Sequence, residues 1–185
     1  MEAASAMSER ITYKTRWIIR RYLTEELYKM GTPTEVPDVN GPIGAMLPAE
    51  SVIEGNVLLQ SGVTCLWNIL CGTAANNLFN SGNAAIGVGD NSTAANNTQT
   101  ALLAPTNHAY NTMSANYPSV STITATWQTA FNANQANYSW QEYVLNNAGA
   151  NASNTVGQNL NRIANNQGTK TSGQVWTISV QISLS

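Results

Sequence analysis

Charged residues almost disappear from this sequence after Glu54. Of its 18 Asp, Glu, Lys and Arg residues, 14 lie in the first 54 positions, and only Asp90, Glu142, Arg162 and Lys170 follow. An ordinary soluble domain carries about 25% charged residues, and charge keeps independent proteins apart in solution. The weakly charged part of the chain is therefore expected to pack against neighbouring proteins.

Catalytic and metal-binding side chains are also scarce. The two cysteines, Cys65 and Cys71, do not make a disulfide framework or a metal site, and both are predicted to be reduced. A nucleophilic triad built on the single histidine, His108, would have to recruit Asp90 or Glu142, and a carboxylate pair would have to use the same two residues. Nothing in their spacing supports either arrangement, so we expect no enzyme activity, no metal and no cofactor.

Long hydrophobic runs are missing as well. No apolar stretch reaches the roughly 18 residues that span a bilayer, and MEAASAMSER contains no hydrophobic segment of a secretory signal. We therefore expect a soluble protein that is made in the cytoplasm and has no membrane partner.

The sequence divides at about residue 50 into a charged N-terminal arm with a linker (1–50) and a neutral body (51–185). Residues 11–23 alternate as a strand with one basic face, Thr24 is placed to cap a short helix, and residues 31–48 hold four prolines that prevent regular pairing. The residues predicted to bind a partner protein by adding a strand are Lys14, Arg16, Trp17, Arg20 and Arg21. Acidic residues follow at once and cancel the local charge, so nucleic acid is not an expected partner.

The body is predicted to be an antiparallel β-sandwich or jelly roll with one short amphipathic helix. Apolar and polar residues alternate most clearly over 122–131 and 175–184, and shorter strands are expected at 52–59, 85–89, 138–145 and 160–163. The helix is predicted from an apolar stripe at Val63, Leu66, Trp67 and Leu70, with Ser61 as its cap and Gly72 at its end. The outward faces are Thr, Ser and Gln, which suit contact with a partner.

Glu142 is predicted to form a structural ion pair. It lies between Trp140 and Tyr143 in a strand-like segment, and Arg162 and Lys170 are the only cations of the body. A carboxylate in such a segment needs a partner, which favours a partly buried pair with Arg162. The alternative is a contact between subunits. Gly87 and Gly89 could suggest a phosphate loop, but the Gly-Lys-Ser/Thr ending is absent, so a strand followed by a tight turn is expected.

Several blocks in one order resemble structural proteins of tailed bacteriophages. They are IGVGDNSTAANNTQTAL (86–102), TWQTAF (126–131), ANYSWQEYVL (136–145), LNRIA (160–164) and GTKTSGQVWTISVQISLS (168–185). This resemblance implies a virion component without enzymatic activity. It brings no catalytic or metal-binding residue with it.

The resulting hypothesis is a capsid decoration or cement protein, located in the virion. Its expected partners are the major capsid protein or other virion proteins and further copies of itself, with a trimer as one candidate. One alternative is a tail or fibre component that binds a receptor or glycan through Tyr110, Tyr117 and Trp140. Others are a hydrolase domain using His108 and Glu142, and a bacterial surface protein of similar composition.

Overall fold

The computed structural model describes residues 12–73 and 77–185. Its strands are β1 (Tyr13–Tyr22), β2 (Val36–Pro37), β3 (Met46–Leu47), β4 (Glu50–Glu54), β5 (Val57–Leu58), β6 (Ala85–Gly89), β7 (His108–Thr112), β8 (Ser119–Ser121), β9 (Thr124–Phe131), β10 (Glu142–Asn146), β11 (Asn159–Ala164) and β12 (Val175–Leu184). The helices are α1 (Glu25–Lys29) and α2 (Gln60–Cys71), and Gly149–Asn151 forms a 3-10 turn. The prediction of a mainly β fold with antiparallel sheets is confirmed.

Ten of these strands form a sandwich of two five-stranded sheets. The order is β4-β1-β12-β9-β8 in sheet 1 and β5-β11-β10-β6-β7 in sheet 2, while β2 and β3 pair separately. All neighbouring strands are antiparallel. The inner faces share one core, to which Trp17 and Ile178 contribute from sheet 1 and Ile86 and Leu145 from sheet 2. Alternation of apolar and polar residues places these side chains on the inner faces.

Aromatic rings occupy the centre of the core. The Trp140 ring lies 5.1 Å from Phe131, 5.0 Å from Trp176 and 6.3 Å from Tyr143 between ring centroids, all edge to face. Such pairs stabilise a core by more than their buried area alone. Trp140 precedes β10. The strand predicted over 138–145 therefore begins four residues later and ends one residue later, as Glu142–Asn146.

The segment predicted to be an N-terminal arm is a central strand of sheet 1. All ten residues of β1 pair with β12, and five of them also pair with β4. Hydrogen bonds therefore occupy both edges of β1, so residues 13–22 are not an extended arm and β1 cannot add a strand to another protein. The division at residue 50 does not match the packing either, because β1 and β4 are neighbours in one sheet. Ile11, which was included in the predicted strand, lies outside the described residues.

The region between β1 and β4 has more structure than its prolines suggested. Thr24 caps α1 as predicted, since its hydroxyl accepts a hydrogen bond of 3.3 Å from the Leu27 N–H. Within the predicted linker, β2 and β3 form a ladder of two residue pairs, Val36 with Leu47 and Pro37 with Met46. Such a short ladder is compatible with the prolines, because Pro37 removes only one backbone donor and each strand is only two residues long.

The helix α2 contacts sheet 2 through its small residues. Gly72 ends it in the left-handed conformation as predicted (φ 64°), but the N-cap is Leu59, without a side-chain cap bond, and Ser61 does not serve as the cap. Gly62 and Cys65 are the buried positions of α2. The stripe of Val63, Leu66, Trp67 and Leu70 is therefore not the face that packs on the sheet.

Besides β2 and β3, the strands β7 and β8 were not predicted. HAYNT in β7 has no clear alternation, and the three residues of β8 are all exposed. Both are edge strands. These segments are therefore strands because their backbones pair with β6 and β9, and not because they bury an apolar face.

Gly62→Ala should destabilise the protein even though alanine favours helices. A Cβ at this position would lie 2.5 Å from Leu160 Cα and 2.7 Å from Asn159 O, both in the backbone of β11. We expect the free energy of unfolding to fall by about 1–3 kcal/mol through overpacking, although the helix propensity of alanine acts in the opposite direction. Urea denaturation measures it. The matched control is Gly82→Ala, where the nearest atom to the new Cβ is 3.7 Å away. An equal effect of the two changes would contradict this account.

Candidate interaction surface

A fully buried ion pair lies on the outer face of sheet 2. Glu142 on β10 and Arg162 on β11 both have 0% side-chain exposure, and the Arg162 Nη2 and Nε atoms lie 2.7 Å and 2.9 Å from Glu142 Oε2. Glu142 and Arg162 are not directly opposite each other in the sheet, because Glu142 is opposite Ala164 and Arg162 is opposite Val144. The ion pair is therefore diagonal across two adjacent strands. These are the two residues that the shortage of cations in the body predicted to pair, although the pair is fully rather than partly buried.

The ion pair holds the loop of residues 90–107 that connects β6 and β7. Glu142 accepts hydrogen bonds from the backbone N–H groups of Leu103 and Ala104, the shortest being 2.7 Å. Arg162 donates from Nη1 to Thr93 O at 3.0 Å and to Gln99 Oε1 at 2.9 Å. A long loop has few backbone partners of its own, and these contacts supply them. The pair therefore fixes both ends of the loop against sheet 2.

The glycines of β6 make room for this arrangement. A Cβ at Gly89 would lie 2.6 Å from Glu142 Oε1, and a Cβ at Gly87 would lie 2.6 Å from the Tyr110 ring and 2.8 Å from Val144. The Gly-x-Gly sequence thus allows side chains of β7 and β10 to cross the strand closely. It is part of a strand, as predicted, and the residues after it enter the 90–107 loop.

Elsewhere in the body, buried asparagine side chains form the hydrogen bonds to loop backbone that charged side chains often form in other proteins. Asn146 donates to Val156 O and accepts from Ala148 N, and Asn147 donates to Asn77 O and accepts from Gln158 N. Asn159 donates to Thr100 O in the 90–107 loop. An amide both donates and accepts, so it can satisfy loop backbone in a buried site without a charge. The high asparagine content of the body thus has a structural use.

The positive charges of β1 are largely occupied within the fold. Arg16 and Arg20 face outward and form ion pairs with Glu54 (3.4 Å) and Glu50 (2.7 Å) of β4. Lys14 is exposed on the same face. The structure thus brings Lys14, Arg16 and Arg20 together as an outer charged strip, although two of the three already have an acidic partner.

Two residues predicted to bind a partner are unavailable for that purpose. Trp17 is 0% exposed in the core, and Arg21 is 1% exposed. Arg21 places its guanidinium 4.7 Å from the Trp176 ring centroid and donates to Pro48 O, Ser51 Oγ and Gln167. Burial lowers the pKa of Arg21 to about 10, which leaves it charged at neutral pH. The prediction of an interaction role for Trp17 and Arg21 is wrong, because both point to the inner face of a central strand.

The aromatic residues considered for glycan binding do not form a common surface. Trp140 is fully buried. The Tyr110 hydroxyl donates to Asn154 Oδ1 at 2.8 Å, and burial raises the pKa of Tyr110. Tyr117 is partly exposed and precedes a cis proline. Stacking against a sugar needs exposed ring faces, which Trp140 does not offer.

Sheet 1 and α2 border an open apolar groove of about 720 Å³. One wall is the α2 stripe of Val63, Leu66, Trp67 and Leu70, and the other includes Val120, Ile123 and Leu184. We call this the apolar groove. Sequence reasoning identified the stripe but not its exposure. The signal was present in Gly62, since a glycine within a helix marks the side that approaches another backbone.

The acidic residues, cysteines and histidine of the described residues do not gather into a metal-type cluster. This part of the chain contains no group of three or more His, Cys, Asp or Glu residues that could hold a metal ion. Glu142, proposed in the hydrolase alternative, is buried and engaged with Arg162 and two backbone N–H groups. None of the helices in residues 12–73 and 77–185 has the length and hydropathy needed to cross a membrane.

No protein-family model matches the chain, and neither a curated protein nor a solved structure matches it.

Removing the buried carboxylate should be far more damaging than removing an exposed one. In Glu142→Ala, Arg162 is left as a buried charge without its carboxylate partner, and two N–H groups of the 90–107 loop lose their acceptor. We expect the free energy of unfolding to fall by about 3–5 kcal/mol in urea denaturation. The control is Glu50→Ala, which breaks the exposed pair with Arg20 and should cost less than about 1 kcal/mol.

Hydrogen exchange gives a second readout for the same pair of variants. Amide exchange of residues 90–107 should increase in Glu142→Ala and stay unchanged in Glu50→Ala. Equal losses of stability in the two variants, with no local change in exchange, would show that the buried pair does not hold the loop.

Lys170 gives the protein a predictable dependence on pH. Its ammonium is 0% exposed and donates to Asn132 O (2.8 Å) and Asn137 Oδ1 (2.7 Å), and burial lowers its pKa from 10.5 to about 8. Between these two values the unfolded chain binds the proton more strongly than the folded protein. Stability should therefore rise with pH over this range, by up to about 3 kcal/mol from this group.

The measurement is the free energy of unfolding from pH 7.5 to 10.5 for the wild type and for Lys170→Met. The wild type should gain stability relative to the variant as the pH rises. Lys29→Met, at an exposed lysine on α1, should follow the wild-type profile. Parallel profiles for wild type and Lys170→Met would contradict the prediction.

Proposed function

We propose that this chain is a structural protein of a bacteriophage virion, a decoration protein that binds the outside of the capsid shell. It packs there against neighbouring subunits, and its partners are the major capsid protein or other virion proteins. The proposal combines the resemblance of most of residues 56–185 to phage structural proteins with the distribution of charge in the fold.

One observation carries the proposal. Of the four charged residues that follow Glu54, Glu142, Arg162 and Lys170 are fully buried, which leaves Asp90 as the one of the four near the surface. The outer faces of β9 and β12 carry Thr, Ser and Gln, which bond to one another, as Ser179 does to Gln128 at 2.9 Å. Such a surface can be covered by a neighbour without the cost of desolvating charge. This suits a permanent assembly better than a protein that diffuses alone.

The outer charged strip is the part of the surface with an electrostatic preference. Lys14, Arg16 and Arg20 lie in a row on the outer face of β1, with Glu50 and Glu54 beside them on β4. Alternating charges of this kind set the orientation of a complex and its rate of formation more than its affinity. We propose that this strip faces an acidic region of the shell. It replaces the strand-adding arm, which the pairing of β1 excludes.

The alternative, a tail or fibre component, predicts a different number of copies per particle from a shell protein. A high copy number per particle indicates the shell, and a small symmetric number indicates the tail or a fibre. The glycan-binding form of this alternative has less support, because Trp140 is buried.

Shells that lack this protein should bind it, and should become more stable when they do. In Lys14→Gln/Arg16→Gln/Arg20→Gln, the association rate at low salt should fall by about tenfold, because the strip has lost its positive charge. The matched control is Lys29→Gln, at an exposed lysine outside the strip. Binding is measured by cosedimentation and surface plasmon resonance, and shell stability by thermal disruption. A wild-type protein that neither binds such shells nor stabilises them would end the proposal.

A further inference from the structure

The apolar groove is an opening at one side of the sandwich. Residues from the inner face of sheet 1, such as Ile182 and Trp127, line it together with Leu58 and Leu160 of sheet 2. The helix α2 covers sheet 2 here because Gly62 allows it to lie directly on β11. The same packing turns the opposite face of α2 toward the groove and away from the sheet.

The groove exposes a contiguous group of large apolar side chains. Trp67 is 60% exposed and Leu70 76%, and across the groove Val120 is 76% exposed. Leu66, Ile123 and Leu184 are exposed by 41–54%. A contiguous apolar patch of a few hundred Å² or more is of the size that marks contacts between proteins. A stable interface buries about 800 Å² per partner, so these six side chains are sufficient for the centre of such an interface.

The chemistry of the groove favours an uncharged occupant. Every residue that lines it is uncharged, and the polar ones are Tyr13, Thr122 and Thr124. A charged partner would lose hydration here without gaining an opposite charge. Apart from Glu54 and Asp90, the outside of the body of this same chain is uncharged, so a second copy can approach with little electrostatic repulsion.

The two walls of the groove allow a symmetric contact between two copies. One wall is the α2 stripe, and the other includes Val120, Ile123 and Leu184. In a two-fold arrangement the α2 stripe of one copy would meet the sheet 1 wall of the other, so that both contacts form at once. Edge strand β8 borders the groove, and its three exposed residues carry no charge that would oppose such an approach.

We propose that the apolar groove is the site at which a second copy of this chain binds, with α2 of each copy lying in the groove of the other. Trp67 and Leu70 are the central contacts. This inference deepens the proposed function, since it names the surface through which copies pack, and it can be tested without the shell.

The experiment is sedimentation velocity and light scattering of the full chain from about 1 to 100 µM. The wild type should be a dimer over most of this range. In Trp67→Ser/Leu70→Ser the dimer dissociation constant should rise by at least about 30-fold, because large buried aromatic and aliphatic contacts dominate an interface. The control is Ile43→Ser, which removes another fully exposed apolar side chain outside the groove and should leave the dimer intact.

A second variant guards against a simple loss of folding. Val120→Arg changes the opposite wall and places a charge in the interface, so it should also give a monomer, with circular dichroism and thermal unfolding unchanged. A wild type that is monomeric at every concentration would overturn the proposal and favour residues 1–11 of the same chain as the occupant, since β1 begins beside the groove at Tyr13. An oligomer that is unaffected by all three substitutions in the groove would overturn it as well.

The same variants separate this inference from the proposed function. Monomeric Trp67→Ser/Leu70→Ser that still binds shells would leave both proposals standing. A wild-type dimer that does not bind shells would overturn the proposed function and leave the groove as a dimer interface.

Discussion

The contact on which much of this structure depends is the buried ion pair between Glu142 and Arg162. It joins two adjacent strands of sheet 2 diagonally and holds the 90–107 loop through backbone groups at both ends of the loop. Two charges in a buried position are costly unless every polar atom finds a partner. Here the loop supplies those partners, so the ion pair and the loop need each other. The glycines of β6 belong to the same arrangement, because a side chain at Gly89 would occupy the space of the carboxylate.

In the rest of the body, amide side chains satisfy the backbone polar groups of the loops. Buried asparagines bond to loop carbonyl and N–H groups that have no partner in the sheets. An amide satisfies both kinds of backbone group and carries no charge, which allows long loops without ionisable side chains. The high asparagine content and low charge of the body are thus explained by the way in which its loops are held. This composition also leaves the outside of the body neutral, which is the property that the proposed assembly requires.

Charge in the first 54 residues has a different explanation from the one the sequence suggested. Its boundary at Glu54 coincides with the end of β4, and β4 lies beside β1 so that Arg16 and Arg20 meet Glu54 and Glu50. Five of these charged residues, Lys14, Arg16, Arg20, Glu50 and Glu54, lie on one face of sheet 1, and β1 is not a separate arm. The proposed contacts use the outer charged strip and the apolar groove, two surfaces of opposite character on the same sandwich.

The sequence by itself determined the β class, the clearest strands, α2 with its glycine end, and the pairing of Glu142 with Arg162. Each of these follows from local periodicity or from the shortage of alternative partners. Only the tertiary structure decided that β1 is central, that Trp17, Trp140 and Arg21 are buried, and that the α2 stripe faces outward. Alternation shows which residues share a face, but it does not show which strands become neighbours or whether a face is covered. Those outcomes depend on contacts between residues far apart in the chain, such as Gly62 with Leu160 and Tyr13 with Leu184.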